Sequence, residues 1–168
     1  MSRTRKQSGK LSRNKGKEFE RWLAAQLRAE LGEPAVESAG DVRDSRVRRG
    51  EQGHGAVHAD VYVVDLPFWF ECQHAARPDA EAKLLQARAD VERSGRRHVP
   101  VAVVRRSGAR GRRQVEAAMF LSDLIGQVGF VVPQPTTEMQ LLGQSVVTFD
   151  FRVLLSIVRR AEGARRRG

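Results

Sequence analysis

One cysteine, Cys72, stands in 168 residues, and the four histidines show no zinc-ligand spacing. An internal disulfide framework and a cysteine-rich zinc site are thereby excluded, and a reducing compartment fits. No apolar run approaches the length needed to cross a bilayer. The basic N-terminus has no apolar stretch behind it and so does not read as a secretory signal, which makes the cytoplasm the expected location. Lysine is scarce outside the first 17 residues, where Lys83 is the only one, and acid is absent from within them.

What is abundant is arginine, 25 residues against 5 lysines, in a chain of formal net charge +10. Residues 1–17 contribute +7 and residues 159–168 contribute +4, so the body between them is close to neutral, at about −1. Cationic ends on a neutral body fit phosphate binding, with affinity that falls as salt rises. Solubility or attraction to acidic lipid is the bland alternative. The length suits one domain with a substantial core.

The first clear element is a helix over about 17–31. Phe19, Trp22, Leu23, Leu27 and Leu31 recur at helical spacing, and Gly32 and Pro34 end it. At 100° per residue, Glu20 falls within about 20° of Leu27 and Leu31, on the apolar stripe, whereas Glu18 points away. A carboxylate there is costly unless a metal, an arginine or a lysine pairs with it; a first-turn glutamate favoured by the helix dipole is the plain alternative. Pro34 to Ser38 reads as a possible strand, and 41–57 as a basic, glycine-rich loop.

Residues 58–73 carry the most information. Val61–Val64 and Phe68–Cys72 flank an Asp65-Leu66-Pro67 turn and read as a hairpin of buried strands. Alternation puts Trp69, Glu71 and Gln73 on one face. Asp60 joins them if the register sets it opposite residue 71 or 73; opposite Cys72 it would turn away. In the favourable registers two carboxylates and an amide converge, enough oxygen for a hard divalent cation. The competing reading is that both acids merely end strands and face solvent.

A second helix opens at Pro78-Asp79-Ala80-Glu81, runs to about Ser94 and stops at Gly95. It buries Ala80, Leu84, Ala87 and Val91. Lys83 reads as a surface lysine, with reach into the carboxylate site as the alternative. Val99–Val104 is continuously apolar, as in a central strand. Residues 114–120 are expected to pair back on it, Ser122 and Asp123 to cap a short helix, 129–143 to form an extended connection, Val146–Phe149 a strand and Phe151–Arg160 a last helix. The expected fold is α/β: a small mixed sheet flanked by helices in α-β-β-β-α-β order. The expected divisions are a disordered basic tail (1–16), the α/β domain (17–128), an extension packed on it (129–160) and a basic tail (161–168).

Lys15-Gly16-x-x-x-Glu20-Arg21 on the first helix, Ala59-Asp60, Glu71-x-Gln73 and Gln86-Ala87 on the next helix together resemble the PD-(D/E)XK nuclease superfamily. The flavour is that of the Holliday-junction resolvase-like nucleases of archaea and phages, and the resemblance covers about residues 13–106. It implies a restriction-endonuclease-like core and Mg²⁺, with Mn²⁺ as a substitute, held by Asp60 and Glu71 and completed by Glu20. It further implies a supporting role for Gln86, and Gln73 in the place of the family's lysine. Glutamine can position a water but carries no charge, so the electrostatic part of that role is missing. Some relatives with Glu-x-Gln still cut DNA.

The expected function is therefore Mg²⁺-dependent endonucleolytic cleavage of branched or structured DNA in a bacterial or phage-infected cell, with a symmetric homodimer making two cuts. Lys15, Lys17, Arg43, Arg46, Arg48, Arg49, Arg105, Arg106, Arg110, Arg112 and Arg113 are the expected phosphate contacts. A catalytically inactive nuclease-fold protein that binds nucleic acid is the alternative, and a basic structural or ribosome-associated protein a third.

Overall fold

In the computed structural model, residues 5–35, 45–50, 58–107, 113–128, 137–141 and 144–167 are described. The elements in chain order are α1 (Arg5–Leu31), β1 (Val47–Arg49), β2 (Val61–Val63), β3 (Phe68–Ala75), α2 (Ala80–Ser94) and β4 (Val99–Ser107). They continue with β5 (Arg113–Phe120), α3 (Leu121–Val128), β6 (Thr137–Leu141), β7 (Gln144–Asp150) and α4 (Phe151–Arg165). The strands form one seven-stranded sheet in the order β1-β2-β3-β4-β5-β7-β6. Among the described strands only β3 and β4 run parallel, joined by α2 as a crossover; the other neighbouring pairs are antiparallel. No described helix is long and apolar enough to cross a membrane.

The alternation of β3 divides the core between two faces. Phe68 and Phe70 join Phe19, Leu23 and Leu27 of α1 and Leu154 and Val158 of α4 in the larger cluster. Trp69, on the opposite face, packs with Ala59 and Ala87, and Leu84 of α2 with Ala102, Ala118 and Phe120. Each large side chain taken out of water in this way contributes roughly 2 kcal/mol. β4 is buried from Val99 through Arg105, as its unbroken apolar run predicts. α2 is fixed at both ends: the Asp79 carboxylate accepts from Ala82 N at 2.9 Å, and Gly95 closes it at φ 66°.

The structure departs from expectation in five places. α1 begins at Arg5, so residues expected to form a disordered tail are helical. That stretch lacks apolar periodicity, yet Lys, Arg and Gln are good helix formers and no proline interrupts them. Val47–Arg49, expected within a loop, is strand β1, paired with β2. Thr137–Leu141, expected within a connection, is strand β6, so the C-terminal region supplies strands to the same sheet. α4 runs to Arg165, into the expected basic tail. The strand expected to start at Pro34 is not seen at 34–35, and its remainder lies outside the described residues.

Candidate functional site

Antiparallel pairing of β2 with β3 sets Val61 opposite Phe70 and Tyr62 opposite Trp69. Asp60 lies at the bend directly before the first of these pairs. Asp60 Oδ2 accepts from Cys72 N at 2.8 Å, which anchors its carboxylate to the β3 backbone beside Glu71. Glu71 is only 3% exposed, so it does not end a strand in solvent. Its Oε1 accepts from Trp69 Nε1 at 3.3 Å. Its Oε2 accepts from Gln86 Nε2 at 3.2 Å and from Lys83 Nζ at 3.4 Å, and the Lys83 ammonium also donates to Gln86 Oε1 at 3.0 Å.

Lys83 thus corrects the expectation of a surface lysine: its side chain is 18% exposed and turned onto the carboxylate. Lys83 and Gln86 lie three residues apart on α2, either side of the buried Leu84, and reach down past it to β3. Gln73 is engaged differently. Its Oε1 accepts from Asp79 N at 2.7 Å and ties the end of β3 to the cap of α2.

Electrostatics mark the pair. Burial, then the neighbouring Asp60 charge, push Glu71 up to about 7, with Lys83 opposing. Asp60 is also raised, chiefly by burial and partly by Glu20, against the pull of the Cys72 N–H and Lys83. Burial pushes the Cys72 thiol well up, which favours its protonated form.

Glu20 approaches from the other layer, its charge acting on Asp60, but Oε2 is paired with Arg49 NH2 at 2.6 Å. An arginine therefore answers the carboxylate on the apolar stripe. Among the described residues no group of three His, Cys, Asp or Glu side chains is arranged to hold a metal. The site as built is two carboxylates, an ammonium and an amide.

The expected phosphate contacts divide. Lys15, Lys17, Arg48 and Arg106 are exposed. Arg49 is turned to Glu20, and Arg46 to Glu162 at 2.8 Å. Arg105 is a correction: it is 8% exposed, with its guanidinium 5.6 Å from the Phe19 ring centroid and 5.4 Å from that of Trp22. Its methylenes and planar charge cover aromatic rings, which leaves it inside the fold. Arg43, Arg110 and Arg112 lie outside the described residues, and Arg113 is described only as the start of β5.

Arg49 and Trp69 are the site neighbours that residue types alone underplay. Trp69 shares the Glu71 face by alternation, but nothing in a three-residue, arginine-rich strand advertises Arg49 as Glu20's partner. No family model matches the chain, and no curated protein or solved structure is recognisably similar to it.

Proposed function

We propose that the protein is a Mg²⁺-dependent endodeoxyribonuclease acting on branched or structured DNA, resembling the Holliday-junction resolvases, and built on a restriction-endonuclease-like core. The observation that carries this is the Lys83 ammonium 3.4 Å from Glu71 Oε2, on a carboxylate whose strand neighbour Cys72 holds Asp60 through its N–H at 2.8 Å. The positive charge missing at position 73 is thereby supplied from α2.

The donor set suits magnesium. Asp60 and Glu71 are hard oxygen donors, and the raised affinity of the buried pair for a proton marks a place short of positive charge. Asp60 and Glu71 would hold the ion, which when bound activates water and neutralises charge at the scissile phosphate. Lys83 offers donors and a fixed charge to the attacking water or to the phosphate oxygens as their charge grows. Gln86 holds Glu71 in orientation, and Trp69 closes its other oxygen, so the carboxylate cannot rotate out of the site. The exposed Lys15, Lys17, Arg48 and Arg106 would grip phosphates without reading sequence, on DNA inside the cell. A symmetric dimer would give the second cut that junction resolution needs.

Purified protein incubated with labelled four-way junction, flap and linear duplex in Mg²⁺ or Mn²⁺ tests the proposal. Cleavage of the junction, lost in Asp60→Asn and Glu71→Gln, is the expected result; intact DNA across several divalent metals defeats it. The pairing of Glu20 with Arg49 favours one second reading, a nucleic-acid-binding protein that has lost cleavage. That reading expects junction binding unchanged by either substitution and no products under any condition.

A further inference from the structure

Arg49 stands at the end of β1, where Arg49 pairs with Val61 and the next residue, Gly50, donates its N–H to Asp60 O at 3.1 Å. The two chains approach so closely that a Cβ on Gly50 would lie 2.0 Å from Ala59 O. The backbone of Arg49 is thus held beside Asp60, while its side chain crosses to Glu20 at 2.6 Å. The guanidinium Nε of Arg49 is buried and has no acceptor among the described residues. The side chain is nonetheless 30% exposed, and β1 is the edge of the sheet, so an anion can reach it from outside.

From this arrangement we propose that Arg49 is a positioning residue that latches Glu20 away from the metal position, and that an arriving DNA phosphate draws Arg49 off and frees Glu20 to complete the site. The inference rests on the nuclease reading given above. A phosphodiester offers the guanidinium two oxygens in the fork geometry it prefers, including an acceptor for the unpartnered Nε. Glu20, once released, is a third carboxylate beside a pair that lacks one. Substrate and metal would then bind cooperatively, because each favours the unlatched arrangement, and the coupling must be equal in both directions.

Calorimetry with Mn²⁺ and no DNA tests the latch in wild type, Arg49→Gln, Glu20→Gln, the double variant and Asp60→Asn, each first shown to be folded by thermal melting. Arg49→Gln is expected to tighten Mn²⁺ by about tenfold, the size typical of altering a ligand's supporting partner. The gain should vanish in the double variant. If Arg49→Gln fails to fold, Arg49→Lys, which loses the fork but keeps the charge, is expected to give a smaller gain with the same dependence on Glu20. Anisotropy of a fluorescein-labelled four-way junction, with and without Ca²⁺, reads the coupling: Ca²⁺ should tighten wild type more than Arg49→Gln, by the same tenfold.

Three results overturn the latch. Wild-type Mn²⁺ binding that is lost in Asp60→Asn but unchanged by Arg49→Gln removes it and leaves the metal site standing. A gain that persists without Glu20 shows only relief of charge repulsion, and likewise removes the latch alone. Failure of both wild type and Arg49→Gln to bind Mn²⁺ removes the latch and the nuclease reading together.

Discussion

Lys83 Nζ and Glu71 Oε2 meet at 3.4 Å although they belong to different elements, twelve residues apart in the chain. The contact exists because α2 lies back across β3 after the turn at 76–79. Lys83→Met is expected to lower single-turnover junction cleavage by about a hundredfold or more, as loss of one donor to developing charge does elsewhere. Junction affinity should change little. Gln73→Ala should leave cleavage largely intact and cost about 1 kcal/mol of stability, through the lost bond to Asp79 N. A larger cleavage loss for Gln73→Ala than for Lys83→Met would reverse the assignment.

The buried carboxylates make the metal-free protein sensitive to pH. Burial and the Asp60 charge push Glu71 up to about 7 in the folded protein against 4.5 ordinarily, which favours the extra proton on the folded state between those values. The stability it contributes is complete below about pH 4.5 and is lost as pH rises through about 7. Glu71→Gln should therefore raise the melting temperature at pH 8, by up to about 3 kcal/mol in stability, and lose that advantage near pH 4.5. Metal binding needs the ionised form, so Mn²⁺ affinity of the wild type should climb across the same range. Thermal melts and calorimetry at several pH values check both halves.

Arginines that look alike in the chain should separate by experiment. Arg105→Ala is expected to cost about 2 kcal/mol in denaturant unfolding, since the desolvated charge stacks on Phe19 and Trp22. It should not alter the salt dependence of junction binding. Lys15, Lys17 and Arg106, all exposed, should each remove about one unit from the log–log salt slope when changed to Ala, with little loss of stability.

Gly50→Ala is expected to weaken fold and site together. The added Cβ meets the Ala59 carbonyl at 2.0 Å, so β1 must part from β2 and the bond from Gly50 N to Asp60 O is lost. A loss of roughly 1–3 kcal/mol in stability should accompany weaker Mn²⁺ binding. Unchanged melting would mean that the two strands separate freely.

The parts of this arrangement legible in the chain are those set by local periodicity. Alternation alone puts Trp69, Glu71 and Gln73 on one face, helical angle puts Glu20 on its stripe, and the hairpin follows from the Asp65-Leu66-Pro67 turn. The hidden parts depend on contacts between elements. β1 is three residues long and two are arginine, so no alternation of polarity reveals it. Lys83 flanks the apolar stripe of α2, and its angle says nothing of how close that helix lies to β3. Arg105 and Arg106 are adjacent and identical in type, yet one is buried and the other exposed because strand neighbours face opposite ways. Gln73 stands where the resemblance expects a lysine, whereas its amide oxygen accepts from the cap of α2 and the ammonium beside Glu71 is that of Lys83.

The C-terminal strands also bear on how the chain can be divided. β7 lies between β5 and β6, and α4 packs its Leu154 and Val158 into the same cluster as Phe19 and Phe70. Among the described residues, those after 128 belong to the same sheet and the same core as those before it. A chain ended there would bare the backbone donors and acceptors of β5 along a strand flanked by apolar surface, an open invitation to pair with its own copies. Such a fragment should come out of the cell as aggregate, with its two carboxylates and its lysine all present and none of them in place.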